Sequence, residues 1–182
     1  MAAGLTPRTI LGGLAVTVVI AGCGIGASGT GGSFPAESVG PSIVTTGAVS
    51  EARAAIASAL AGKSLQLEDP RVPFRPPEAA RFAAAARAVY QVVLPADPNH
   101  GFISVYEFTD VASAASAGQE QAAYVGSGPG RVLFPPDSRF IVRQLGTTIV
   151  FYAWSPSNSP DPRAADIQPA LESLGTAIAV PR

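Results

Sequence analysis

One cysteine, one histidine and one lysine occur in 182 residues: Cys23, His100 and Lys63. A single cysteine permits no disulfide within one chain, so a domain of about 130 residues must be held by its core alone. A single histidine cannot supply the converging imidazole and thiolate ligands that a transition-metal site needs, and no EF-hand spacing appears. No metal and no cofactor are therefore expected. A Gly-x-Ser-x-Gly elbow is absent, and the Gly-rich stretches carry no following Lys-Ser/Thr, which excludes a nucleophile elbow and a phosphate loop. Net charge is −1 with only 14% charged residues. Such a chain has no electrostatic footprint for nucleic acid and no polybasic patch for anionic lipid heads.

What is present begins at the N-terminus. Met1 to Thr9 carries Arg8 and no acid, and Ile10 to Ile20 is almost continuously apolar. That run is far short of the roughly 20 residues needed to cross a bilayer core, but it suits a secretory h-region. Small residues, Ala21 and Gly22, then precede the only cysteine. Ile20-Ala21-Gly22-Cys23 resembles the lipobox of bacterial lipoproteins. The resemblance implies diacylglycerol transfer to the Cys23 thiol and cleavage between Gly22 and Cys23. It places the product at the cell membrane, lipid-anchored, on the extracytoplasmic side. Two acyl chains at about 0.8 kcal/mol per buried methylene make a lasting anchor. Removal of residues 1–22 takes one of the twelve basic residues and none of the thirteen acids, leaving 160 residues with a net charge of −2.

Three segments follow. Residues 1–22 are the signal peptide. Residues 23–48 are the lipidated cysteine and a flexible Gly/Ser/Pro linker, reaching about 25 Å on average. Residues 49–182 are a single globular domain. Within it, Ser50 is expected to cap a helix ended by Gly62. Ser64–Glu68 alternates as a short strand. Four prolines between Asp69 and Pro77 exclude regular structure there, and a short helix opens after Pro77. Residues 88–94 and 102–108 are β-branched and aromatic and predict a hairpin. Thr109 or Asp110 caps a helix to about Val125, stopped by Gly126–Gly130. Arg131–Phe134 reads as an edge strand. Residues 139–143 and 148–154 predict a second hairpin around Gly146, and a last helix covers about Ala165–Leu174.

This order predicts an α+β two-layer sandwich, an antiparallel sheet with helices on one face, compatible with ferredoxin-like topology. Gly101–Phe108, Gly128-Pro129-Gly130 and Thr148–Pro156 resemble a group of bacterial lipoproteins over about residues 50–175. That resemblance implies a fold and no activity.

No constellation of catalytic residues emerges. A Ser-His-Asp triad would have to use His100, which sits in a Pro/Asn turn and is expected to be solvated. Asp97, Asn99 and Glu107 form no recognisable cluster, and Glu107 is expected to face solvent. Tyr90, Tyr106, Phe108, Phe151, Tyr152 and Trp154 suit a ligand groove, but strands use such residues first to fill a core. Arg75, between Phe74 and Pro76-Pro77, is the one exposed charge singled out, with a surface ion pair as its ordinary role. The chain is thus expected to be a membrane-tethered binding or accessory module for a protein partner or small envelope ligand. The alternatives are a cell-envelope hydrolase using dispersed carboxylates and a structural envelope subunit.

Overall fold

A computed structural model describes residues 46–182. The expected signal peptide, the Gly22–Cys23 junction and the linker up to residue 45 lie outside the described residues. Helix α1 spans Gly47–Ala61. Its cap is Thr46 rather than Ser50, because the Thr46 hydroxyl accepts from the Val49 N–H at 3.2 Å while donating to Glu107 at 2.8 Å. That start also buries Val49 together with Ala52, Ile56 and Leu60, one face of the helix. Strand β1 is the pair Leu67–Glu68, and α2 is the single turn Ala80–Ala84. The two hairpins are β2 (Ala86–Val92) with β3 (Phe102–Glu107), and β4 (Arg139–Leu145) with β5 (Thr148–Trp154). Between them runs α3, Val111–Gly126, capped by Asp110, whose Oδ1 accepts from the Ser113 N–H at 2.7 Å. Helix α4 is Ala164–Glu172, and a two-residue strand β6, Thr176–Ala177, follows.

One local expectation changes. Arg131–Leu133 is a 3₁₀ turn and no edge strand. Pro135 and Pro136 offer no N–H to a ladder, and the Arg131 guanidinium folds onto their carbonyls, which closes the chain on itself. Pro169 lies deeper in α4 than the first turn. The carbonyl it leaves unpaired belongs to Ala165, on the exposed side, where water can replace the lost bond.

The six strands form one antiparallel sheet in the order β1-β2-β3-β5-β4-β6. The α+β class and the antiparallel sheet are as expected. The placement of the helices on one face is the detail that changes. Ala88, Tyr90, Val92, Ile103, Val105, Val150 and Tyr152 pack with α1 and α4, whereas Tyr106, Val142, Ile149 and Phe151 pack with α2, α3 and Ile178. The reason is in the strands themselves. Ile149-Val150-Phe151-Tyr152 is apolar without alternation, so both faces need cover. The cover on the second side is thin. α3 lies close because its inward residues are small: Ala114, Ala117, Gly118 and Ala122. A Cβ at Gly118 would stand 2.3 Å from Ile178 Cδ1, so a larger residue there would make that side chain move aside.

Strands β3 and β4, joined through α3, run parallel with β5 between them, a split βαβ unit. The next strand outward from β3 is β2, supplied by the preceding hairpin.

Candidate functional site

α3 packs on this sheet face over Tyr106, Ile149 and Phe151. Beside Phe102 and Ala153 the cover is supplied by loops, and a cleft of about 230 Å³ remains. One wall is the proline-rich segment Phe74–Pro77. The other is Leu133–Pro135 with Ser138. The turn Asn99–Gly101 and the loop from Trp154 to Ser159 close the end. Four segments far apart in sequence thus meet at one place.

Each segment is braced. The Phe74 ring stacks on Phe102, centroids 4.3 Å apart. Behind it, the fully buried amide of Gln121 on α3 accepts from the Ala79 N–H at 2.7 Å and donates to the Pro77 carbonyl at 3.0 Å. Gln91 donates to the carbonyls of Pro98 and His100 at 2.7 and 3.0 Å, which fixes the turn. Gly101 has φ +80°, and a Cβ there would press on the Val92 carbonyl at 3.0 Å. Asp137 ties the remaining walls together, accepting from Ser155 Oγ at 2.6 Å and from the Ser157 N–H at 2.8 Å. These bonds hold its carboxyl below the usual carboxylate range. Asp161 does the same one loop further on. It is gripped by Arg163 and accepts from the Ala96 N–H at 3.2 Å, so its carboxyl is held well down, chiefly by the Arg163 hydrogen bonds.

His100 is part of this cleft. Its Nδ1 lies 2.5 Å from Asp97 Oδ1, and the Asp97 side chain is 4% exposed against 52% for the imidazole. The sequence predicts a solvated turn residue. The ring is indeed exposed, yet it is oriented by a buried carboxylate, and Nε2 has no partner among the described residues. Asp97 Oδ2 is buried with no partner among the described residues. Its charge and, more strongly, burial push the Tyr152 hydroxyl upward. Asn99 also lines the cleft, so two of the three polar residues noted around the turn and β3 gather with His100. Glu107 does not. It is 61 residues from its partner Thr46 and serves the start of α1.

Arg75 lines the cleft and makes the ion pair its ordinary role implies, with Nε 2.8 Å from Glu78. The Glu78 carboxylate was not legible as a site. Its side chain is 3% exposed, yet it takes Arg75, Arg87 and the Tyr106 hydroxyl, the last at 2.7 Å. Burial, and then the bond to Glu78, push the Tyr106 hydroxyl far upward, so it stays a donor. The signal was a carboxylate following two prolines, which carries no hint of burial. Of the six aromatics noted in sequence, Tyr90, Tyr106, Phe151 and Tyr152 are buried core and Phe108 packs beside it; Trp154 borders the cleft, but its ring packs against the α1 and α4 side and its Nε1 donates to Gln168 Oε1 at 3.4 Å.

No carboxylate lines this cleft, and the walls of four further depressions carry at most one each. Among the described residues there is no group of three metal-ligating side chains, and no helix long and apolar enough to cross a membrane. No family model, curated protein or solved structure matches the chain.

Proposed function

We propose that this protein is an extracytoplasmic binding module, tethered to the cell membrane through acylated Cys23, and that the braced cleft beside Phe102 receives its ligand. One observation carries the reading. Four loops that owe the core little are locked around this cleft by Gln121, Gln91, Asp137 and Asp161. A site ordered before its ligand arrives avoids much of the entropy cost of binding. A cleft that offers hydrogen-bonding groups supports the accessory reading.

Two experiments test the two halves. Mass spectrometry of the protein from its own membranes should recover an N-terminal diacylated Cys23 peptide, and an unmodified peptide running from Met1 through Cys23 would remove the anchor. A photo-crosslinking residue at the exposed position of Leu133, 60% accessible at the cleft wall, should capture a ligand in intact cells. Equal capture from a control position on the far side, such as Lys63, would remove the cleft.

A further inference from the structure

Positive charge is unevenly compensated along this chain. Arg53, Arg71, Arg75, Arg81, Arg87 and Arg163 each pair with a carboxylate. Arg131, Arg139, Arg143 and Arg182 pair with none among the described residues, and all four lie on β4 or beside it. Arg131 donates to the Pro135 and Pro136 carbonyls and lies over the Phe140 ring. Arg139 lies over the Trp154 ring, and Arg143 donates to the Leu174 and Gly175 carbonyls. A carbonyl or a ring face orients a guanidinium without neutralising it.

The same strand is an open sheet edge over part of its length. β6 pairs only with Arg143 and Gln144, and one more bond follows, from the Ile178 N–H to the Val142 carbonyl at 3.0 Å. That bond fixes which backbone groups point outward: those of Val142 and, two residues back, those of Phe140. Neither the N–H nor the carbonyl of Phe140 has a partner among the described residues. The tail has left the sheet by then. A Cβ at Gly126 would stand 2.5 Å from the Pro181 carbonyl oxygen, so Pro181 lies at the C-terminal end of α3. A groove of about 760 Å³ follows the vacated edge, bordered by Phe140, by Gln168 and Glu172 of α4, and by Arg131, Arg139 and Arg182.

We propose that the outer edge of β4 takes an extended acidic peptide segment of a partner protein by strand addition. An unpaired edge is a template for another strand, and main-chain bonds supply the affinity. Charge selects which strand. Successive side chains of an added strand point to opposite faces. Arg139 stands on the α4 side of the edge, over Trp154, and Arg131 on the α3 side, over Phe140. Two adjacent acids therefore meet a guanidinium on each face. The one acid bordering the groove, Glu172, accepts from Gln168 Nε2 at 2.8 Å and faces three arginines. Two other occupants fit worse. A second copy paired edge to edge about a two-fold axis brings like arginines together. Residues 24–45 of this chain contain Glu37 as their only acid. The proposal does not rest on the cleft beside Phe102 being a ligand site.

The test titrates the full-length protein in detergent into a fluorescein-labelled peptide, Thr-Val-Glu-Glu-Val-Thr, followed by anisotropy. Binding should saturate, weaken with added salt, and be about tenfold tighter than for the same peptide with glutamine for glutamate, the worth of two rim ion pairs. N-methylation of alternate peptide amides should abolish binding in one phase and spare it in the other, because only one edge of the added strand faces β4. The Phe140 amide should gain protection from hydrogen exchange in the complex. Arg139→Gln and Arg182→Gln, both at exposed side chains, should each weaken binding about two- to fivefold, and Lys63→Gln should leave it unchanged. Equal binding of both N-methylated peptides, or unchanged exchange at Phe140 in the bound state, shows attraction by charge alone and overturns strand addition. Displacement of the peptide by a single-stranded oligonucleotide or by phosphatidylglycerol vesicles, which themselves bind more tightly, overturns the partner class. A dimer of the free protein that already protects Phe140 makes a second copy the occupant and overturns the proposal, as does no binding of the acidic peptide.

Discussion

The two faces of the sheet are stabilised differently. The face under α1 and α4 is closed by aliphatic packing, with Ile56, Leu60, Ile103, Ile167 and Leu171 fully buried. At about 1.5–3 kcal/mol for each such side chain, this face is held by area. The face under α2 and α3 has fewer large side chains and recruits polar ones: Gln121, Glu78 and the Tyr106 hydroxyl. Aliphatic packing is forgiving of small shifts, whereas a buried polar group must keep its partner. The second face is therefore the one able to shape a cleft, because its loops are placed by directional bonds.

That contrast can be broken most severely at Glu78. Glu78→Ala strands Arg87 and the Tyr106 hydroxyl beneath the proline-rich segment, and denaturant unfolding should show a loss of about 3–5 kcal/mol. Glu78→Gln should lose less, since the amide still accepts from Tyr106. Ile56→Ala acts on the other face, and a loss of about 2–5 kcal/mol is expected from transfer and cavity terms together. Gln121→Leu should cost about 1–3 kcal/mol by leaving the Ala79 N–H and Pro77 carbonyl unpaired. Limited trypsin cleavage after Arg71, in the same proline-rich segment, should then accelerate, because the cleft wall loses its tether.

The smallest effect is acid sensitivity at Asp161. Its carboxyl is held below the unfolded value by Arg163, so its contribution is fully present above about pH 4 and is lost as pH falls further through the folded value. Asp161→Asn should flatten the stability curve on that acid limb and leave the neutral region with a shallow, pH-independent deficit. An acid limb identical to that of the parent protein would show that Arg163 does not hold this carboxylate.

Much of this molecule was legible from periodicity. Val111–Gly126 follows from the Asp110 cap and the small-residue face, and Thr148–Trp154 from its β-branched and aromatic run. The expected role of the aromatics as core held for Tyr90, Tyr106, Phe151 and Tyr152. Two things were not legible. The division of helices between both faces depends on where α1 and α3 dock, and the absence of alternation in residues 149–152 was the available clue. The cleft was illegible because Phe74, His100, Phe134 and Trp154 share no local pattern. Arg75 and His100 were each noticed singly, and nothing in the sequence brought them together.

The chain by itself determined what depends on neighbours along the backbone: element type, caps, turns such as Gly101 and Gly146, and the features of the N-terminal segment that predict an anchor. Only the tertiary structure decided which loops meet, that Glu78 and Asp97 are buried as partnered acids, and that loops supply the cover beside Phe102. Local conformational energy is written residue by residue. Burial and convergence are properties of long-range packing, and they appear only once the whole sheet has formed.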